Sequence, residues 1–369
     1  MPTLIRVTFV LLCVAGLAGF AQSAALAPRT GVFVGTVGRY PIVMQIARNG
    51  DGDYSGAYFY ERAHLDLPFE GMWRDGQLRL STQNHSPDDL VLTPTKDGYL
   101  GTLHTHAGRS FGVRLHGAAP VAARDLPDGA DTAQPSDPYE RQRLKGLRLQ
   151  AQKAEVIGGR HIRWYVEPVT DMRLFRIESG YPAPIMAKIN HGLSVFQWSA
   201  IAEAFGCAGY DGRPGVSGGV QAPPFLSNDY VSIAWSSEWS CMGAAHPDFG
   251  TSSISFDAHS GRELRLADLL WFGGSKPPAT DKAIADDYAS AIFAPRLVAL
   301  LQSLYPRHMA ANDNDCDYTD PGVWDAPSWY LTPKGLYVGA YFPRAARVCD
   351  SPEWSVIPYA RLTALRHRG

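Results

Sequence analysis

The stretch Tyr230–Trp271 decides the fold. It reads Val231-Ser-Ile-Ala-Trp235, then Gly243-Ala-Ala-His246, then Ile254-Ser-Phe256-Asp257, a turn at Ser260-Gly261, and Leu264-Arg-Leu266-Ala-Asp268-Leu-Leu-Trp271. Two runs of alternating apolar residues read as strands. A Gly/His loop joins them, and an Asp-led helical turn follows. Asp257 suits a turn whose backbone N–H groups it accepts, and Asp268 suits the cap of a short helix.

Outward from this stretch, helical periods appear. Pro184 opens a helix through Ala204, with Ile185, Ile189, Leu193, Phe196, Ala200 and Ala204 recurring on one face. This helix is expected to pack on the sheet formed by 230–236 and 252–257. A second helix is expected from Asp281 to Leu304, kinked or split at Pro295. Tyr139–Gln150 reads as a short charged helix, 156–166 as a hairpin, and 330–342 and 355–359 as late strands. Strand runs and two long helices that do not alternate strictly indicate an α+β domain over 138–369, with an antiparallel sheet.

Upstream, residues 30–118 alternate with period two and are punctuated by turns at Asn49-Gly50-Asp51-Gly52, Asp75-Gly76 and Asp97-Gly98. Strands at this even spacing predict an antiparallel meander curling into a small barrel or sandwich. Gly35, Gly56, Gly71 and Gly101 inside the strands suit strong coiling. Tyr58 and Tyr60 share one face, with Phe59 on the other; they and Trp73 suit a core better than a sugar platform. His104-x-His106, with His85 and His116 nearby, reads as exposed strand polarity rather than a metal site. Residues 119–137 are acidic, Pro-punctuated and nearly free of large apolar side chains, which predicts an extended interdomain linker.

At the start, Arg6 precedes an apolar run from Val7 to Phe20, too short to span a bilayer. Small residues at Ser23-Ala24-Ala25 follow. A signal peptide over 1–25, cleaved near Ala25, is the expectation, with export to the periplasm or beyond and no membrane span after its removal. Cys13 would leave with it. Four cysteines then remain in an oxidising compartment: Cys207, Cys241, Cys316 and Cys349. Three pairings are open. Cys207–Cys241 and Cys316–Cys349 are favoured because each closes a loop of about 35 residues rich in Gly, Pro and Asp. No close-spaced Cys pair suggests a metal, so neither metal nor cofactor is assigned.

Losing Arg6 would leave 33 Lys+Arg against 36 Asp+Glu, a net charge near −3. That balance gives no basic footprint for nucleic acid. The remaining length of about 345 residues predicts two domains.

The resemblance comes from residues about 225–362. The Gly243-Ala-Ala-His246 loop precedes Phe256-Asp257 and Ser260-Gly261. Leu264-x-Leu266-x-Asp268-Leu269-Leu270 follows, then Tyr330-Leu331-Thr332, Gly335-Leu336-Tyr337 and Val356-Ile-Pro-Tyr-Ala-Arg-Leu362. In order and spacing this resembles the exported domain of unknown function at the C-terminus of RsiV-like anti-sigma factors and PdaC-type peptidoglycan deacetylases. In the former such a domain binds lysozyme; in the latter it accompanies a separate catalytic domain. The chain carries no metal-dependent deacetylase motif, so the resemblance implies binding, to peptidoglycan or to a lysozyme-like protein.

Two chemical arrangements follow. A binding module needs an exposed aromatic patch, for which Trp235, Trp239, Trp324 and Trp329 with His246 are the candidates. A glycan hydrolase needs convergent acids and bases, for which His246, Asp248, Asp257 and His259 form the one concentrated group. A structural or assembly component would need neither. The binding module is favoured, without catalysis. Gly215-Val-Ser217-Gly-Gly219 lacks nucleophile-elbow spacing and reads as a flexible loop. Asn312-Asp-Asn-Asp-Cys316-Asp317 lacks the Gly and Glu of an EF-hand loop.

Overall fold

The computed structural model describes residues 26–50, 52–83, 86–221, 223–274, 276–310 and 316–366. The expected leader, His85 and residues 312–315 of the Asn/Asp run lie outside the described residues. Within the described residues the chain is α+β, with every named sheet antiparallel.

Eight strands open the fold: β1 (Gly31–Val37), β2 (Tyr40–Arg48), β3 (Asp53–Tyr60), β4 (Leu67–Arg74), β5 (Gln77–Thr82), β6 (Asp89–Pro94), β7 (Gly98–His104) and β8 (Ser110–Gly117). They pair in chain order, and β1 closes on β8 from Phe33↔Gly117 to Val37↔Val113. An eight-stranded barrel is just wide enough for side chains to fill. Phe33, Ile42, Met44, Tyr58, Leu78, Leu90 and Tyr99 are among those that fill it. Gly35, Gly56, Gly71 and Gly101 are required by close approach. A Cβ on Gly35 would sit 1.9 Å from the Arg114 carbonyl oxygen, and one on Gly71 at 1.9 Å from that of Arg79. Asp75 and Gly76 both take positive φ, as a two-residue hairpin turn of this hand demands.

The connection does not run free through solvent. Leu126 and Ala130 are buried in the neighbouring core, in and beside the one-turn α1 (Ala130–Ala133). Arg141 ties the segment down through Asp131 and the Val121 carbonyl, and Ser194 donates to the Asp128 carbonyl at 2.6 Å. A stretch this polar docks through Leu126, Ala130, the Asp131 carboxylate and two backbone carbonyls, a mode that composition does not reveal.

Helix α2 (Pro138–Leu144) is capped by Asp137, whose carboxylate accepts from the Tyr139 and Glu140 amides at 2.9 and 3.1 Å. It is shorter than expected; Gln150 already belongs to β9 (Gln150–Ile157), which pairs with β10 (Arg160–Val166) and then β11 (Arg173–Ser179). Helix α3 (Ala183–Gly206) crosses β11 and β12 (Val216–Val220). The glycine run at 215–219, expected as a loop, is mostly this edge strand, paired with β14. Glycine suits it because a Cβ on Gly218 would meet the Trp235 indole nitrogen at 2.8 Å.

After β13 (Phe225–Leu226), strands β14 (Tyr230–Trp239) and β15 (Asp248–Asp257) pair over ten residues, from Tyr230↔Asp257 to Trp239↔Asp248. Their sheet has a core on each face. Val231, Ile233 and Trp235 point at α3. On the other face lies the sheet β16 (Ser328–Thr332), β17 (Gly335–Gly339) and β18 (Val356–Pro358), with the helical turn α4 (Leu266–Leu269), α5 (Ala294–Leu304), α6 (Pro306–Ala310) and the C-terminal α7 (Tyr359–Arg366). The two sheets are pinned by a buried Ser pair: the Ser232 hydroxyl lies 2.7 Å from that of Ser255 and accepts from the Leu331 amide at 2.9 Å.

The expected second helix is regular only over α5. Asp281–Ala283 is a single 3-10 turn, and Ala289–Phe293 is a π turn running into Pro295 near the start of α5. Proline lacks an N–H and clashes with the carbonyl four residues back, and a wider turn relieves both.

Cys207–Cys241 and Cys316–Cys349 are both disulfides, with Cα atoms 5.0 and 5.5 Å apart. Among the described residues no helix is long and apolar enough to cross a membrane. The disulfides suit a secreted or periplasmic protein.

Candidate functional site

The acid/imidazole group does not converge. Asp248 begins β15 and Asp257 ends it, so nine residue steps of extended chain, about 30 Å, separate them. His246 is exposed at one end, where its Nδ1 meets the Arg344 guanidinium. His259 is exposed at the other, 3.0 Å from Asp229. The Asp257 carboxylate accepts from the His259 amide at 3.0 Å and from the Ser260 amide and hydroxyl at 2.8 Å. Burial pushes its pKa up, but these bonds outweigh that and leave it below the ordinary value. This is the turn-forming role its position predicted. Among the described residues no group of three His, Cys, Asp or Glu side chains is placed to hold a metal ion.

The four tryptophans part company too. Trp235 and Trp324 are buried, so neither contributes to a surface patch. Each indole N–H is satisfied internally, by the Ser237 hydroxyl and the Tyr318 carbonyl. An alternating strand places every second side chain in the core, and Trp235 falls on the α3 side. Trp324 lies in the core beneath β16–β18.

Trp239 and His246, by contrast, stand at one surface, with Asp248. Trp239 ends β14 directly opposite Asp248, and its ring lies over Gly250, where a Cβ would come within 3.4 Å. Phe249 and Tyr341, 46% and 56% exposed, stand beside it. Arg347 organises the group: its guanidinium carbon is 4.4 Å from the Phe249 ring centre and 4.6 Å from that of Tyr341. It pairs with Asp248 at 3.0 Å and Asp350 at 2.5 Å, and donates to the Phe249 carbonyl at 2.6 Å. Shallow clefts of about 330 and 260 Å³ share Trp239 and Phe249. Glu238, Ser217 and Ser240 line the first; Ser328, Tyr341 and Arg347 line the second.

Both walls of this groove are cross-linked. Cys241 follows Trp239 by two residues, and its partner Cys207 packs against Gly215 at the cleft edge. Cys349 follows Arg347 by two residues and is tied to Cys316. The result is a set of aromatic faces and carboxylates about a guanidinium whose donors are committed to Asp248, Asp350 and the Phe249 carbonyl, a surface suited to stacking. Phe249, Tyr341 and Arg347 were not singled out in the sequence. Phe249 adjoins Asp248, but the other two lie nearly 100 positions further along.

Trp329 lines a different depression, of about 510 Å³, with Leu264, Leu266, Tyr288 and Phe293 as apolar lining and Glu263, Asp286 and Asp325 among its charged groups. The Glu263 carboxyl is pushed up by the protein crowding it. Arg265, the one cation of this lining, is held by Asp268 at 2.9 Å and Asp281 at 3.3 Å.

No protein-family model, curated protein or solved structure matches the chain.

Proposed function

We propose that this chain is an exported, non-catalytic binding protein of the bacterial envelope, and that the Trp239 groove holds a strand of wall glycan. The observation that carries the reading is the cluster of Trp239, Phe249 and Tyr341 about Arg347, flanked by two shallow clefts and stiffened by two disulfides. Sugar rings present apolar faces and hydroxyl edges; stacking on Trp239 with hydrogen bonds to Glu238, Ser240 and Asp248 serves both. The resemblance over 225–362 supports binding in the same direction. Separation of the four acid and imidazole side chains argues against the hydrolase arrangement they suggested.

The test is retention of the protein on purified peptidoglycan and, separately, on immobilised lysozyme. Wild type is expected to stay on peptidoglycan. Trp239→Ala should weaken that retention about tenfold or more, and His246→Ala/Asp257→Ala should leave it in place. Retention on lysozyme alone, lost with Trp239→Ala, would transfer the groove to a protein partner. Retention on neither, or release of soluble muropeptides by the wild type, overturns the proposal.

A further inference from the structure

The barrel has its own unassigned surface, independent of the Trp239 groove. In an up-and-down meander, the connections β1–β2, β3–β4, β5–β6 and β7–β8 all emerge at one end. Three of these four connections present an exposed arginine: Arg39, Arg62 and Arg109. The guanidinium carbons of Arg39 and Arg62 stand 5.2 and 5.0 Å from the same ring centre, that of Tyr40. Their charges are therefore separated by at most twice that distance. Arg109 lies 5.7 Å from the Phe111 ring, which abuts the β1–β2 turn at Gly38. Tyr40 in turn packs edge-on against Tyr60 at the mouth of the barrel, 6.2 Å between centres.

None of the three arginines makes an ion pair among the described residues, whereas Arg74, Arg141, Arg143, Arg163 and Arg347 all reach carboxylates. Glu61 and Asp88 occupy the same end. Asp88 accepts from the His106 amide instead, and no pairing of Glu61 with the three is formed. In a chain of net charge −2, three converging unpaired guanidiniums form a local positive field. Aromatic rings hold all three planar forks, at the cost of one N–H that Arg39 gives to the Tyr40 hydroxyl. The same cations hold the Tyr40 phenol below its ordinary pKa, with the hydrogen bond from Arg39 the largest cause.

We propose that this end of the barrel, through Arg39, Arg62 and Arg109 around Tyr40, binds a phosphate-bearing anion. Guanidinium forks match phosphate oxygens bidentately, and three of them suit a multiply charged or clustered phosphate surface. Two sources carry that chemistry: the headgroups of an anionic lipid surface and a soluble phosphate polymer.

The experiment titrates the full-length protein with vesicles of phosphatidylglycerol and phosphatidylcholine, with pure phosphatidylcholine vesicles, and with soluble polyphosphate. It compares wild type, Arg39→Gln/Arg62→Gln/Arg109→Gln, and the control Arg74→Gln/Arg79→Gln in β4 and β5. Wild type should bind the anionic vesicles, polyphosphate or both, and added salt should weaken it. At about fivefold per arginine, the triple variant should bind on the order of 100-fold more weakly. The control should stay within about threefold, and all three proteins should melt alike because every altered side chain in the triple variant is exposed. Binding to vesicles alone assigns a headgroup, and to polyphosphate alone a soluble ligand. No binding of wild type to either overturns the proposal. So does a triple variant that binds as wild type does, or a control weakened equally.

Discussion

The guanidinium carbon of Arg143 lies 4.6 Å from the centre of the Phe59 ring, joining helix α2 to the outer wall of the barrel. Phe59 points out of the barrel, yet it is fully buried because Tyr139 and Arg143 cover it. Arg143 has no solvent exposure; it pairs with Asp66 at 2.7 Å and Glu140 at 2.9 Å and donates to the His64 carbonyl. Tyr139 adds a second hydrogen bond to Asp66 at 2.7 Å. Burial raises the Asp66 and Glu140 carboxyl pKa values, with the nearby cation pulling the other way.

Removing that cation would leave two crowded carboxylates uncompensated. Arg143→Ala is expected to cost about 3–5 kcal/mol and to let barrel and α+β unit melt separately. Calorimetry should show one transition dividing into two. A variant that melts as a single unit with a loss under about 1 kcal/mol would show that the contact does not couple them.

Asp268 controls an acid-side effect. Desolvation pushes its carboxyl up, but hydrogen bonds from Arg265 and Arg262 and from the Arg265 amide hold it well below the usual range. A depressed folded pKa contributes stability that is present above the unfolded value, about 3.9, and is lost as pH falls through the folded one. Urea midpoints should therefore drop below pH 4 in wild type. In Asp268→Asn they should start lower at pH 7, reflecting a loss of about 1–2 kcal/mol of stability, and fall less steeply. Parallel curves for the two proteins would remove Asp268 as the cause.

Gly192 sits inside α3, where alanine would ordinarily help a helix by about 1 kcal/mol. Here a Cβ would come 2.5 Å from the Phe256 ring on β15. Gly192→Ala should destabilise by about 1–3 kcal/mol, read as a lower urea midpoint with unchanged slope. A higher midpoint would mean that the helix lifts off the sheet without penalty.

Ser232→Ala should leave the buried Leu331 amide without its acceptor, at about 1–3 kcal/mol. Hydrogen exchange at Leu331 should accelerate, while Ser255→Ala, which spares that bond, should change it less. Equal protection of Leu331 in both variants would place the pinning elsewhere.

The barrel was legible because alternation and turn chemistry are local: Asp75-Gly76 reads as a tight turn in one dimension and is one in three. Its glycines were legible for a related reason, since a coiled sheet brings carbonyls close wherever a side chain is missing. The surface was less so. Trp235 and Trp239 look alike on the same strand, and only the packing of α3 and the β16–β18 sheet decides that one is buried and the other lines a groove. Arg347 was invisible as a site residue because Phe249, which it stacks on, lies 98 positions earlier. Residues 119–137 failed in the opposite sense, since their docking rests largely on the Val121 and Asp128 carbonyls and two apolar anchors, which composition does not single out.

Barrel closure has a mechanical side. The chain enters at Gly31 and leaves at Gly117 on adjacent strands, with the last bridge of the ladder at Phe33↔Gly117 and the Ala118 amide reaching back to the Val32 carbonyl at 2.9 Å. Tension drawn between the two ends of the barrel would load this seam one hydrogen bond at a time, as a zipper, rather than shearing the bonds together. The seam is therefore where the barrel opens first under a pull, and the two strands it releases are the ones that carry Arg39's turn and Arg109's.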